Sequence, residues 1–287
     1  MKTASRDYGD IKYLIFDPTG NITALVETGV DPADQPAAAA GIMEREPDVE
    51  QVGFVTLAGG EPDDGIPVSL RMAGGEFCGN ATMCAAALYM MRAGMQGEAD
   101  IKVRVSGTSG AFDVSLARRG PEEFAAAVTM PPALSIDELK LSGGAYPDSD
   151  SLSLPIVRME GIAHVIIEPD SGFFGLKDDR ALAETLLRGW CGAIGAECLG
   201  MMFVGDGGAG SGSRSLTPLV YVPGADTMFW ENSCASGSAA AGIYLAAKED
   251  RPVDVSFEEP AGNMRVESDP ETGKTVLHGS LRLRSVR

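Results

Sequence analysis

The 287-residue sequence predicts an α+β fold of two pseudo-symmetric halves, each an antiparallel-rich sheet wrapped around one central apolar helix. Three observations lead there. The segments EFCGNATMCAAALYM (76–90) and NSCASGSAAAGIYLA (232–246) each place a cysteine just before a small-residue stretch that runs into an Ala-rich helix. Two further pairs occur in the same order: EQVGFV (50–55) with ECLGMMFV (197–204), and NITALVE (21–27) with HVIIE (164–168). Counterparts lie about 145 to 155 residues apart, as tandem duplication predicts. Most of the remaining chain consists of short strand-like runs bounded by turn residues, too many and too close together for alternating βαβ units.

The elements follow in chain order. IKYLIF, ITALVE, IPVSLRM, IKVRV, AFDVSLA and FAAAVTM read as strands of the first half, and LPIVRM, LTPLVYV and MRVES as strands of the second. The helix that begins near Asn80 and ends at Gly94 is apolar almost all round, as is ASGSAAAGIYLAA; such helices are enclosed by other structure. Residues 1–141 form the first half and 156–274 the second. The Ser-, Gly-, Asp- and Pro-rich stretch 142–155 reads as their connection. TVLHGSLRLRSV, within 275–287, is expected to cross back and join the first half.

Composition narrows the functional classes. With 41 acidic against 23 basic side chains, the formal charge of −18 repels phosphate backbones and anionic membranes, so neither nucleic acid nor a membrane is an expected partner. The start, MKTASRDYGDIKYLIFDP, is too charged for a signal peptide, and no run is long and apolar enough to span a bilayer; the expected location is cytoplasmic. Five cysteines without a CxxC pair and only two histidines, His164 and His278, argue against a zinc site. No metal and no cofactor is expected.

A cysteine immediately before a helix sits where free backbone N–H groups and the positive end of the macrodipole converge. That field is expected to lower the thiol pKa of Cys78 and Cys234 toward neutrality, and the same N–H groups suit a substrate carboxylate. Gly79 allows close approach after Cys78, as do Ser236 and Gly237 after Cys234, and Asn80 brings a hydrogen-bonding side chain; Gly79, Asn80, Ala235 and Ser236 are the expected substrate-binding residues at the two helix starts. Cys84, Cys191 and Cys198 lack polar surroundings in sequence and read as buried structural thiols. Two thiols facing each other across a small substrate suit racemisation: one face removes the α-proton as thiolate, the other delivers a proton as thiol.

At these residues the sequence resembles the diaminopimelate epimerase superfamily. The resemblance covers essentially the whole chain and rests on DPTGNITALV, EQVGF, GGEFCGNAT, GIAHVIIE and WENSCASGSAAAG. It implies a duplicated fold with a cysteine at the start of each central helix. It also implies a pyridoxal-free, metal-free 1,1-proton transfer at an amino-acid α-carbon. True diaminopimelate epimerases carry Asn before the Pro-His of the second-half strand, where this chain has Ile162, and an Arg after the glutamate ahead of the second cysteine, where Glu231 has none. PTGNITALV, GGEFCGNATM and ENSCASGS are closer to the histidine racemases that supply D-histidine for opine-type metallophores. By that resemblance Asn21, Gln51, Asn80 and Glu231 are pocket residues beside Cys78 and Cys234, and the partner is a small amino acid, with a homodimer left open.

Other readings remain. Diaminopimelate epimerase and a phenazine-pathway type isomerase share the fold, and a ligand-binding protein switched by a Cys78–Cys234 disulfide would also use paired thiols. GDGGAG (205–210) matches a dinucleotide-binding pattern, but SGSRS and a strand-like run follow it where a helix is required, so it reads as a surface loop or an active-site lid. His164, in a strand-like run, reads as a semi-buried structural histidine.

Overall fold

The computed structural model describes residues 11–58, 65–142, 151–208 and 212–287. The first sheet contains β1 (Tyr13–Pro18), β2 (Thr23–Val26), β3 (Gln51–Leu57), β4 (Val68–Met72), β5 (Glu98–Val105), β6 (Ala111–Arg118) and β7 (Glu123–Thr129). It closes on itself through β16 (Thr275–Val286), which pairs antiparallel with both β7 and β1. The second run contains β8 (Ser135–Ser142), β9 (Ser151–Met159), β10 (Ile162–Ile167), β11 (Leu199–Asp206), β12 (Arg214–Val222), β14 (Val253–Glu259) and β15 (Gly262–Ser268), and it reaches the same β16 through β15. β13 (Thr227–Trp230) adds to the edge of β12.

The sense of pairing repeats. From β1 to β6 it runs antiparallel, parallel, antiparallel, parallel, antiparallel. From β9 through β10, β11, β12, β14 and β15 it runs the same way. Strand β9 begins at Ser151, so the connection expected at 142–155 is shorter than its composition suggested: the alternation in SLSLPIVRM pairs with β8 and overrides the Ser and Pro content. Residues 143–150 lie outside the described residues.

Helix α2 (Gly79–Arg92) lies inside the first sheet and α4 (Ala235–Glu249) inside the second run. Both are buried on nearly every side because their Ala, Gly, Ser and Met side chains are small or pliable enough for strands to pack all round. One contiguous core joins them, from Phe16, Met83 and Leu88 to Phe257 and Val266.

Among the described residues two more α-helices lie outside the sheets and were not expected from the sequence. In α1 (Gln35–Arg45), Ala38, Ala39 and Ile42 pack on Val52 and Phe54. In α3 (Arg180–Ile194), Ala183, Leu187, Trp190 and Cys191 form one apolar stripe against Leu199, Phe203 and Leu219. Asp179 caps its first turn, accepting from Leu182 N–H at 3.2 Å, and Gly195 ends it at φ +62. The GDGGAG segment ends β11 and leads toward the antiparallel strand β12 rather than into a helix; residues 209–211 lie outside the described residues.

Candidate active site

Cys78 and Cys234 are the N-cap residues of α2 and α4, in nearly the same conformation (φ −136, ψ 110 and φ −132, ψ 102). Each sulfur accepts from the third N–H of its own helix, Cys78 Sγ from Ala81 at 3.4 Å and Cys234 Sγ from Gly237 at 3.4 Å. The two helix starts abut. A Cβ built on Gly79 would lie 2.9 Å from Ala235 Cβ, so glycine is what lets the second helix approach. The side chain of Asn80 crosses the same junction and donates to the Ser233 carbonyl at 3.4 Å.

The other expected residues converge here. Gln51, at the start of β3, donates to the Glu231 carboxylate at 3.2 Å, and Glu231 also accepts from the Cys234 thiol. Asn21, in the β1–β2 turn, donates to Glu50 at 2.9 Å, and Glu50 is held from the second half by Asn232. Ser236 lies between Cys234 Sγ (3.6 Å) and His164 Nε2 (3.0 Å). Asn21 Oδ1 and Asn80 Oδ1 are buried with no protein partner among the described residues. A surface cavity of about 530 Å³ beside Thr108, Arg158, Glu160 and Cys198 contains neither N-cap cysteine and lies apart from this cluster.

The thiol pKa values run opposite to expectation. Burial pushes Cys78 up to about 12, and the carboxylates of Glu231 and Glu76 add to the rise. Burial also lifts Cys234 well above the usual thiol value, reinforced by Glu231 and Glu259. The helix-start field, worth roughly 0.3–1 kcal/mol, is outweighed by desolvation and by the carboxylates buried beside the thiols. Both thiols are therefore protonated in this state. Glu231 is raised to about 8, first by burial and then by Glu50 and Glu76, against the lowering bonds from Cys234 and Gln51. Burial lowers His164 to about 3, so it is neutral, which fits a structural histidine.

Sequence reasoning missed Glu50, Asn232, Glu76 and Glu259. None lies in a cysteine motif except Glu76 and Asn232, whose flanking positions were the available signal. Among the described residues no cluster of three His, Cys, Asp or Glu side chains could hold a metal ion.

The model of a family described as the N-terminal domain of histidine racemase CntK matches residues 10–281. The chain belongs to the histidine racemase family. A histidine racemase from Fusobacterium nucleatum is 30% identical over 82% of this chain and 80% of its own length. A second histidine racemase, from Staphylococcus aureus, is 28% identical over 90% of this chain and 88% of its own length. The fold of this family member resembles a probable proline racemase from Agrobacterium radiobacter K84, with TM-score 0.69 and 14% identity over 96% of this chain and 92% of the other. The architecture is thus that of the proline racemase and epimerase-like proteins, a closed barrel with helices. In this histidine racemase family member, no helix among the described residues is long and apolar enough to cross a membrane.

Proposed function

We propose that the protein racemises an amino acid, L-histidine and D-histidine first, by two-base proton transfer between Cys78 and Cys234. One observation carries this reading: two cysteine-capped helix starts abut at a single junction, Gly79 against Ala235. Family membership supports histidine as substrate. The repeated pairing order supports a duplicated, diaminopimelate epimerase-like fold with the closing strand in 275–287; because β8 pairs with β9, the halves meet ahead of β8 rather than at the expected 1–141 and 156–274 bounds.

In the chemistry, one sulfur as thiolate takes the α-proton, and the C–H electron pair moves into the α-carboxylate as an enolate. The other sulfur, as thiol, gives its proton to the opposite face, leaving the charges exchanged between the two sulfurs. The N–H groups at the two helix starts, Gly79 on one helix and Ala235 and Ser236 on the other, suit the negative carboxylate, while the Asn80 N–H is turned to the Cys78 sulfur. Glu231 suits the α-ammonium, and Asn21 Oδ1 and Asn80 Oδ1 are buried acceptors that match ligand N–H groups. Gln51 orients Glu231. A substrate ammonium beside the thiols lowers their pKa by direct attraction, so the nucleophilic form arises with substrate present.

The test is incubation of purified protein with L-histidine in D₂O, followed by chiral chromatography and mass spectrometry. D-histidine carrying one deuterium at Cα is expected, and Cys78→Ser or Cys234→Ser abolishes its formation. Net racemisation by either serine variant at the wild-type rate overturns the two-thiol reading. Racemisation of other amino acids but not of histidine overturns the substrate and leaves the chemistry standing.

A further inference from the structure

Glu259 ends β14 directly against the head of α4. It is 8% exposed, and its two carboxylate oxygens are both committed there. One accepts the Cys234 N–H at 2.6 Å and the other accepts the Ser238 hydroxyl at 2.6 Å. A carboxylate therefore takes the cysteine's own N–H and a side chain of the next helical turn at once.

Among the described residues the first half shows no such group at Cys78. Glu259 follows Cys234 by 25 residues, and the residue 25 after Cys78 is Val103, fully buried on β5 (103 − 78 = 25). The two positions match in topology, since β5 runs parallel to β4 and β14 runs parallel to β12. Glu76 also faces Cys78, but it accepts from its own N–H and that of Gly74. Around Cys234 the other titratable and polar groups are Glu231, Ser236 and, behind Ser236, His164; Glu259 itself faces Glu231 and Ser238. The caps match in geometry, but among the described residues only the Cys234 N–H has a carboxylate bound to it.

We propose that Glu259 is a positioning residue that makes the two thiols unequal: it fixes Cys234 at the head of α4 and keeps it protonated, so that Cys78 ionises first. The proposal rests on the two-thiol reading above and adds to it a resting direction that sets in as Glu259 becomes charged: Cys78 is the base for the first proton abstracted. Burial raises Glu259 to about 8, with Glu231 adding to the rise, so its charge develops as the pH passes that value. A charged Glu259 then opposes a thiolate at Cys234.

The experiment is iodoacetamide labelling of each cysteine, read by mass spectrometry from about pH 6.5 to about pH 10, without substrate, in wild type and Glu259→Gln. The glutamine keeps an acceptor for the Cys234 N–H and removes the charge. Above pH 8, Cys234 labelling in the variant is expected to exceed wild type by about tenfold, as for a one-unit fall in thiol pKa, with Cys78 within about twofold. The difference closes at lower pH, where wild-type Glu259 is already protonated. An unchanged Cys234 profile, or equal changes at both cysteines, overturns the proposal. If Glu259→Gln does not fold, Ser238→Ala serves: it removes the hydroxyl that favours ionised Glu259, so Cys234 labelling near pH 8 rises and Cys78 labelling does not; no rise overturns it. The readout needs no racemisation, so the same protein can fail the histidine assay and still pass or fail this test.

Discussion

Gly79 and Ala235, the first residues of the two central helices, stand so close that a methyl group on Gly79 would meet the methyl of Ala235 at 2.9 Å and Met130 Cε at 3.2 Å. Alanine within a helix is worth up to about 1 kcal/mol over glycine. Overpacking here costs about 1–3 kcal/mol, so Gly79→Ala is expected to lower stability on balance. It should also force the two cysteine caps apart. The expected result is a fall of at least about tenfold in kcat/KM with a smaller change in urea midpoint. A variant with full activity would show that the helix junction is not the substrate seat.

Gln51 donates to Glu231 across the two halves and lowers its pKa. In Gln51→Leu that lowering bond is gone, so Glu231 rises further above about 8. At pH 7 it then carries less charge, and the acidic limb of the kcat/KM profile moves to higher pH. A several-fold rise in KM is expected, with kcat changed less. A pH profile identical to wild type would separate Glu231 from substrate binding.

Glu231 and Glu259, each near 8, keep protons in the folded state that an unfolded carboxyl has released. Their contribution is present in full below the unfolded value of about 4.3 and is lost as the pH rises toward 8. His164, lowered to about 3, acts in the other sense: its contribution is present above the unfolded value of about 6.5 and fades below it. Between about pH 6.5 and 8 the carboxyls act unopposed. Urea unfolding is therefore expected to give lower stability at pH 8 than at 6.5, and Glu231→Gln should flatten that slope. A wild-type slope of zero would refute the raised values.

His164 Nε2 lies 3.0 Å from Ser236 Oγ and so fixes the hydroxyl that sits 3.6 Å from Cys234 Sγ. His164→Asn is expected to lose about 1–3 kcal/mol of stability and part of kcat. Because the ring is neutral throughout the working range, the limbs of the pH profile should stay where they are. A limb near the ordinary histidine value that vanishes in the variant would make His164 an acid–base group after all.

The two cysteines, the apolar helices behind them and most strands were legible because local patterns carry them: alternation for strands, small residues all round for enclosed helices. Helix α3 was readable too, since Ala183, Leu187, Trp190 and Cys191 recur at helical spacing, but the expectation of two helices hid it. The roles of Glu50 and Glu259 were not legible. Glu50 reaches Asn232 across 182 residues, and Glu259 reaches Cys234 only because a strand returns beneath the helix. Burial reversed the expected thiol pKa, because a macrodipole is a local property and desolvation is a tertiary one.

Strand β16 has a bearing on how the protein is made. Thr19, in the turn just after β1, donates to the carbonyl of Ser280, 261 residues downstream. The sheet around Cys78 therefore stays open through most of synthesis and closes only when the strand following the other cysteine's half has emerged. Such distant pairing folds slowly, with exposed strand edges meanwhile. It also ties the first thiol's pocket to completion of the second, so a half-finished chain cannot hold one reactive face without the other.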